Sequence, residues 1–126
     1  MQKNDLEQMD IKFENIEQDM LLVQLEGKII DQTTSNALSS AVSEALSPER
    51  NLLILDLSKV DYINSSGLNS LIAILTKTRT QGGEMIVFGI NEKVKKLLLI
   101  TKLNSVITTT ETLEEAKTQF KQIKQN

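Results

Sequence analysis

Apolar positions recur along this chain with two different periods, and the switches between them mark out its elements. Ile11-Lys12-Phe13-Glu14 alternates apolar with polar, and Leu21, Val23 and Leu25 are separated by Leu22 and Gln24 before Glu26 and Gly27. Period two marks a half-buried strand. The short polar connection from Glu17 to Asp19 predicts that the two strands form an antiparallel hairpin. Asp31 can cap a helix in which Leu38, Ala41, Val42 and Ala45 repeat at i, i+3, i+4, i+7. Pro48 ends it, because the residue before proline is pushed out of the α region. Leu52-Leu53-Ile54-Leu55 then runs apolar without alternation, which suits a strand covered on both faces, as in a parallel sheet. This strand is expected to end at Leu57.

From Ser66 the helical period returns, with Leu68, Leu71, Ile72 and Leu75, and Gly82-Gly83 can supply a left-handed stop after Gln81. Met85 to Phe88 reads as another buried strand, closed by Gly89. Asn91 can cap a helix carrying Val94, Leu97 and Leu98, Val106-Ile107 reads as a short edge strand, and residues 111–123 as a last helix on Leu113, Ala116, Phe120 and Ile123, with acids at its start as the helix dipole prefers. A hairpin followed by strand–helix–strand crossovers, each expected to be right-handed, defines an α/β fold with a mixed β-sheet of four to five strands and about four α-helices. Residues 1–9 are polar and expected to be loose, leaving 10–123 as a single domain without repeat or linker.

Composition narrows the chemistry. The chain of 126 residues has no cysteine and no histidine, which excludes thiolate nucleophiles, a serine–histidine pair and nearly all transition-metal sites. No metal and no cofactor is expected. Net charge is −3 with both signs interspersed, so no concentrated basic face is available for nucleic acid. No apolar run approaches the roughly 20 residues that span a bilayer, and the polar, acidic start is no signal peptide; no membrane is expected as a partner, and the location expected is cytoplasmic.

The stretch that stands out is Asn64-Ser65-Ser66-Gly67, between a buried strand and a helix. In open α/β sheets ligands tend to bind at this edge, and the free N–H groups of a helix start favour an anion. Asn64 or Ser65 can act simply as a cap, contributing about 1 kcal/mol. Alternatively, Ser65 is a phosphoacceptor, since a phosphate of about −1.5 to −2 charges is tolerated at a helix N-terminus. Position alone leaves both readings open.

Strand 52–57 with Asp56-Leu57-Ser58, then Val60, Tyr62-Ile63 and Ser65-Ser66-Gly67-Leu68, the helix ending in Gly82-Gly83 before Met85 to Phe88, and Val94 to Asn104 together resemble the STAS domain of bacterial anti-sigma factor antagonists, over residues ~10–120. The resemblance implies a partner-switching protein that binds an anti-sigma factor serine kinase, is phosphorylated with ATP and is reset by a serine phosphatase. It implies Ser65 as the phosphoacceptor, Ser66 as second choice, and partner contacts over Asn64, Ser65, Ser66, Gly67, Asn69 and Ser70, with Gly67 leaving room for the partner. The expected state is a monomer or weak dimer. Many relatives carry aspartate where this chain has Asn64, which keeps the capping oxygen and loses the charge.

Rival readings remain. A STAS-like scaffold module in a signalling or lipid-transport assembly would never be phosphorylated. A receiver domain would use Asp56 as phosphoacceptor but needs an acidic pair for magnesium, and the earlier strand offers only Glu26; Asp56 reads better as a carboxylate that fixes a loop. No enzyme site is evident: no lysine lies within a turn of Ser65. In the third helix, Leu97 to Ile100 cannot all face one side; the expectation is that both flanks are covered, the alternative that one or two of these residues are exposed to a partner. Tyr62 is expected to be packed under the serine loop, and Lys93, Lys95, Lys96 and Lys102 to be solvated.

Overall fold

The computed structural model describes residues 9–17 and 19–125. Residues 1–8 of the polar N-terminal stretch lie outside them, as does the side chain of Ile123; residue 9 already pairs in the first strand. Strand β1 (Met9–Glu17) and strand β2 (Met20–Ile30) form the expected hairpin, with Ile11 facing Leu25 and Phe13 facing Val23. Helix α1 (Gln32–Ala45), strand β3 (Leu52–Ile63), helix α2 (Ser65–Thr80), strand β4 (Glu84–Phe88), helix α3 (Glu92–Ile100), strand β5 (Thr108–Thr110) and helix α4 (Leu113–Gln125) follow. The sheet order is β1-β2-β3-β4-β5, antiparallel at the first pair and parallel thereafter.

Because successive parallel strands are neighbours, crossovers of one hand must all land on the same face. The two cores show this. Leu21, Val23, Leu53, Leu55, Met85 and Val87 pack with Leu38 and Val42 of α1, Leu71 and Leu75 of α2, and Val94 and Leu98 of α3. On the opposite face, Met20, Leu22, Leu52, Ile54 and Ile86 pack beneath Ala116 and Phe120 of α4 alone. Leu52 to Leu55 therefore have no polar side to show. Past the reach of α4 the same face carries Asp10, Lys12, Gln24 and Glu26, all exposed, so β1 and β2 alternate.

Three boundaries differ from the sequence reading. β2 runs on to Ile30 rather than stopping at Gly27, and β3 to Ile63 rather than Leu57. The extra half of β3 was hidden because its buried positions, Leu57, Val60 and Ile63, fall three apart. A bulge accounts for the first of these steps: β2 advances from Gln24 to Glu26 while β3 advances from Asp56 to Lys59. Asp56 fixes the bulge, its Oδ1 accepting from the backbone N–H (2.9 Å) and hydroxyl (2.6 Å) of Ser58. The last strand is Thr108–Thr110, not Val106-Ile107, which instead close a single 3-10 turn over Leu103–Ser105. β-branched threonines suit an edge strand exposed to water.

α2 ends in the glycine stop expected of it. Gly82 has φ +86°, its N–H donates to the Arg79 carbonyl, and Gly83 N–H donates to the Thr78 carbonyl, a Schellman closure. After α3 the corresponding left-handed residue is Lys102, with φ +65°. A side chain there costs about 1–2 kcal/mol. Lys102→Gly is therefore expected to stabilise the protein by about 0.5 kcal/mol once glycine's extra unfolded-state entropy is subtracted. A urea titration should show a raised midpoint with an unchanged slope.

The expectation that both flanks of α3 are covered does not hold. Leu98 is buried, but Leu99 is 63% and Ile100 76% exposed. α3 is nine residues long and lies against the sheet by one face, leaving its outer side to water. Lys95 is half-buried there, and its ammonium is held above its usual range by the hydrogen bond and charge of Glu111, with a further contribution from Glu92.

Candidate functional site

The site is built by the extension of β2 and β3 beyond β4. β4 pairs with β3 only as far as Phe88 opposite Asp56, whereas β2 and β3 stay paired up to Ile30 opposite Ile63. This two-stranded arm delivers the chain to Asn64. Asn91 steadies it from the other side, its Nδ2 donating to the carbonyls of Asp61 (2.9 Å) and Val60 (3.4 Å).

At the carboxyl ends of β2, β3 and β4, the three helices start alike. Asp31, Asn64 and Asn91 are their N-caps, and each side-chain oxygen accepts from the backbone N–H three residues on, at Thr34 (3.1 Å), Gly67 (3.0 Å) and Val94 (3.0 Å). Of the two candidates at α2, Asn64 is thus the cap and Ser65 is the first helical residue. Asn64→Ala is expected to cost about 1 kcal/mol by chemical denaturation, and Asn64→Asp, which keeps the accepting oxygen, close to nothing.

With the cap provided by Asn64, the Ser65 hydroxyl is not needed by the fold. Ser65 is exposed, and its Oγ makes no hydrogen bond among the described residues. No acidic residue lies in the first turn of α2. Ser66 is half-buried, and its carbonyl accepts from Ser35 Oγ of α1 at 3.5 Å. Asn69 is exposed one turn along from Ser65.

Two of the residues expected to touch a partner are inside. Ser70 is buried, on the α2 face shared with Gly67, Leu71 and Ile74. Its spacing of three from Gly67 could have signalled this. Gly67 is buried as well, and the space it leaves is filled by the chain itself: a Cβ there would lie 2.1 Å from the Ile30 carbonyl oxygen and 2.8 Å from Ile63 Cγ2. The glycine lets α2 begin against the end of β2. Tyr62, expected beneath the loop, is 37% exposed beside it; Asp61 and Tyr62 are both exposed.

Asp56, the receiver-domain candidate, sits in mid-strand with its carboxylate committed to Ser58 and, at 3.5 Å, to Gln24. Among the described residues no group of three acidic side chains is placed to hold a metal ion, and no helix is long and apolar enough to cross a membrane.

This arrangement has known counterparts. The STAS domain family profile matches residues 11–116, and the chain belongs to that family. An anti-sigma-B factor antagonist of Listeria monocytogenes is 28% identical over 78 residues, 62% of this chain and 68% of that one. The crystal structure of an anti-sigma factor antagonist from Mycobacterium paratuberculosis superposes with a TM-score of 0.77 at 25% identity, over 90% of this chain and 94% of that one. The Bacillus cell fate determinant SpoIIAA in its phosphorylated form shares the fold, with a TM-score of 0.66 at 16% identity, over 87% of this chain and 98% of that one.

Proposed function

We propose that this protein is an anti-sigma factor antagonist. It binds an anti-sigma factor that is also a serine kinase, is released when Ser65 is phosphorylated with ATP, and is restored by a serine phosphatase. The reading places it in the cytoplasm, acting on transcription without touching nucleic acid itself and without catalysing a reaction. The observation that carries it is the division of labour at the start of α2. Asn64 holds the helix, so the adjacent hydroxyl of Ser65 is exposed and idle. A serine that neither packs nor caps is free to be modified. Its place at the positive end of α2 lets a phosphate remain without disturbing the fold. The similarity to anti-sigma factor antagonists at 28% and 25% identity supports the same role.

The partner surface in this reading is Asn64, Ser65, Ser66 and Asn69, with Gly67 and Ser70 acting from within by setting the helix against the arm. The test is phosphosite mapping after incubation with the cognate kinase and ATP, and on protein taken from its own cells in growth and under stress. Phosphate on Ser65, absent from the Ser65→Ala protein, is the expected result. Phosphate on Ser66 alone would move the switch by one residue. A bare Ser65 under every condition would leave a scaffold in place of a switch.

A further inference from the structure

We propose that the free edge of β1 is an interaction surface for a second copy of this chain, joining two sheets through an antiparallel β1–β1 pair with Phe13 on the two-fold axis. β1 is nine residues long, contains no proline and, among the described residues, pairs with β2 alone; α4 reaches only its last residues, where Ile16 packs against the Phe120 core and Glu17 meets Lys117 and Lys121. No described strand pairs with its outer edge, and an unpaired strand edge is a template for another strand. Phe13, on the helix side of the sheet, is 40% exposed. On the other side stand Asp10, Lys12 and Glu14, all exposed, and neither Lys12 nor Glu14 has an ion-pair partner within 4 Å among the described residues.

The charges select the register. Residues directly opposite in an antiparallel pair point to the same face, so a symmetric pair can be centred on residue 11, 12, 13 or 14 but not between two residues. Centring on 12 sets Lys12 against Lys12 and Asp10 against Glu14; centring on 14 sets Glu14 against Glu14. Both are repulsive. Centring on 13 sets Lys12 against Glu14 twice, stacks the two Phe13 rings, and lies within the regular stretch that ends where the register shifts after Asn15. Centring on 11 also pairs opposite charges, Asp10 with Lys12, but leaves Phe13 off the axis. Opposite charges and facing aromatics are the pairs that stabilise adjacent strands.

The test uses sedimentation equilibrium of the full chain and of three samples: Lys12→Glu, Glu14→Lys, and their equimolar mixture. Each substitution alone sets like charges opposite each other twice, whereas the mixture restores both pairs. The expected result is a wild-type dimer that weakens with salt, at least tenfold weaker dimerisation for each variant, and recovery in the mixture. Cysteine cross-linking tests the register separately, since the chain has no cysteine of its own. Phe13→Cys should form an intermolecular disulfide under mild oxidation, while Asn15→Cys, whose copies would lie ~14 Å apart, should not. A wild-type monomer at millimolar concentration, a dimer indifferent to both charge reversals, or a mixture that fails to recover would each overturn the proposal. Circular dichroism of the variants, all at exposed positions, separates loss of pairing from loss of fold.

Discussion

Ser65→Asp is expected to leave the thermal midpoint nearly unchanged while weakening binding to the cognate anti-sigma factor by at least about tenfold, an effect of about 1.4 kcal/mol or more. The first half follows from the helix start. The Asn64 cap is untouched by the change, α2 has no acid in its first turn to repel a new one, and a carboxylate near a helix N-terminus is worth about 0.3–1 kcal/mol in the favourable direction. The second half follows from the partner's side. A contact made over an exposed, uncharged serine would have to enclose a carboxylate with no counter-charge, at a cost of several kcal/mol. Phosphate itself, with up to two charges, should do more than aspartate. Calorimetric titration of the wild type, Ser65→Asp and Ser65→Ala would measure it, with the alanine protein binding like wild type. Equal affinities for all three would remove the switch and leave the family fold intact.

Gly67→Ala is expected to do the opposite, damaging the fold before it touches any partner. The added methyl would lie 2.1 Å from the Ile30 carbonyl oxygen and 2.9 Å from its carbon, both main chain and both fixed. Ile30 pairs with Ile63, and its carbonyl also accepts the Asn64 N–H at 3.3 Å. α2 could make room only by lifting from the end of β2. The expected loss is about 3 kcal/mol, at the upper end of what overpacking costs, even after the ~1 kcal/mol that alanine gains in helix propensity. That corresponds to a fall in midpoint of roughly 10 °C for a chain of this size. Asn69→Ala, two residues on and exposed, should change almost nothing. A Gly67→Ala protein within 0.5 kcal/mol of wild type, on the scale of ordinary surface changes, would show that α2 does not seat against Ile30.

These two neighbours show how far the sequence could be read. The helix start at Asn64-Ser65 was legible because capping is local: the residue types and the apolar period that follows are enough. The tight seat of Gly67 was not, because the atom it makes room for belongs to Ile30, 37 positions earlier. The buried strands were legible from their unbroken apolar runs, and the hairpin from its alternation. The far half of β3 was missed because, from the bulge at Asp56 onward, its buried positions fall three apart instead of two. Leu99 and Ile100 were expected to be covered because apolar residues usually are; how many helices pass over α3 is a property of the whole topology, and among the described residues none does. The role of Ser65 as a switch rests on chemistry between molecules, which local pattern does not encode.

The coverage of the sheet by three helices on one face and only α4 on the other has a consequence for biosynthesis. α1, α2 and α3 can each pack as soon as the strands beside them have emerged. Met20, Leu22, Ile54 and Ile86 must wait for Phe120. A nascent chain that has reached β5 therefore presents a finished layer and, behind it, an apolar face open to water. That face closes only once α4, the last element of the fold, has emerged. Until then the growing polypeptide is a natural client for chaperones that recognise apolar strands.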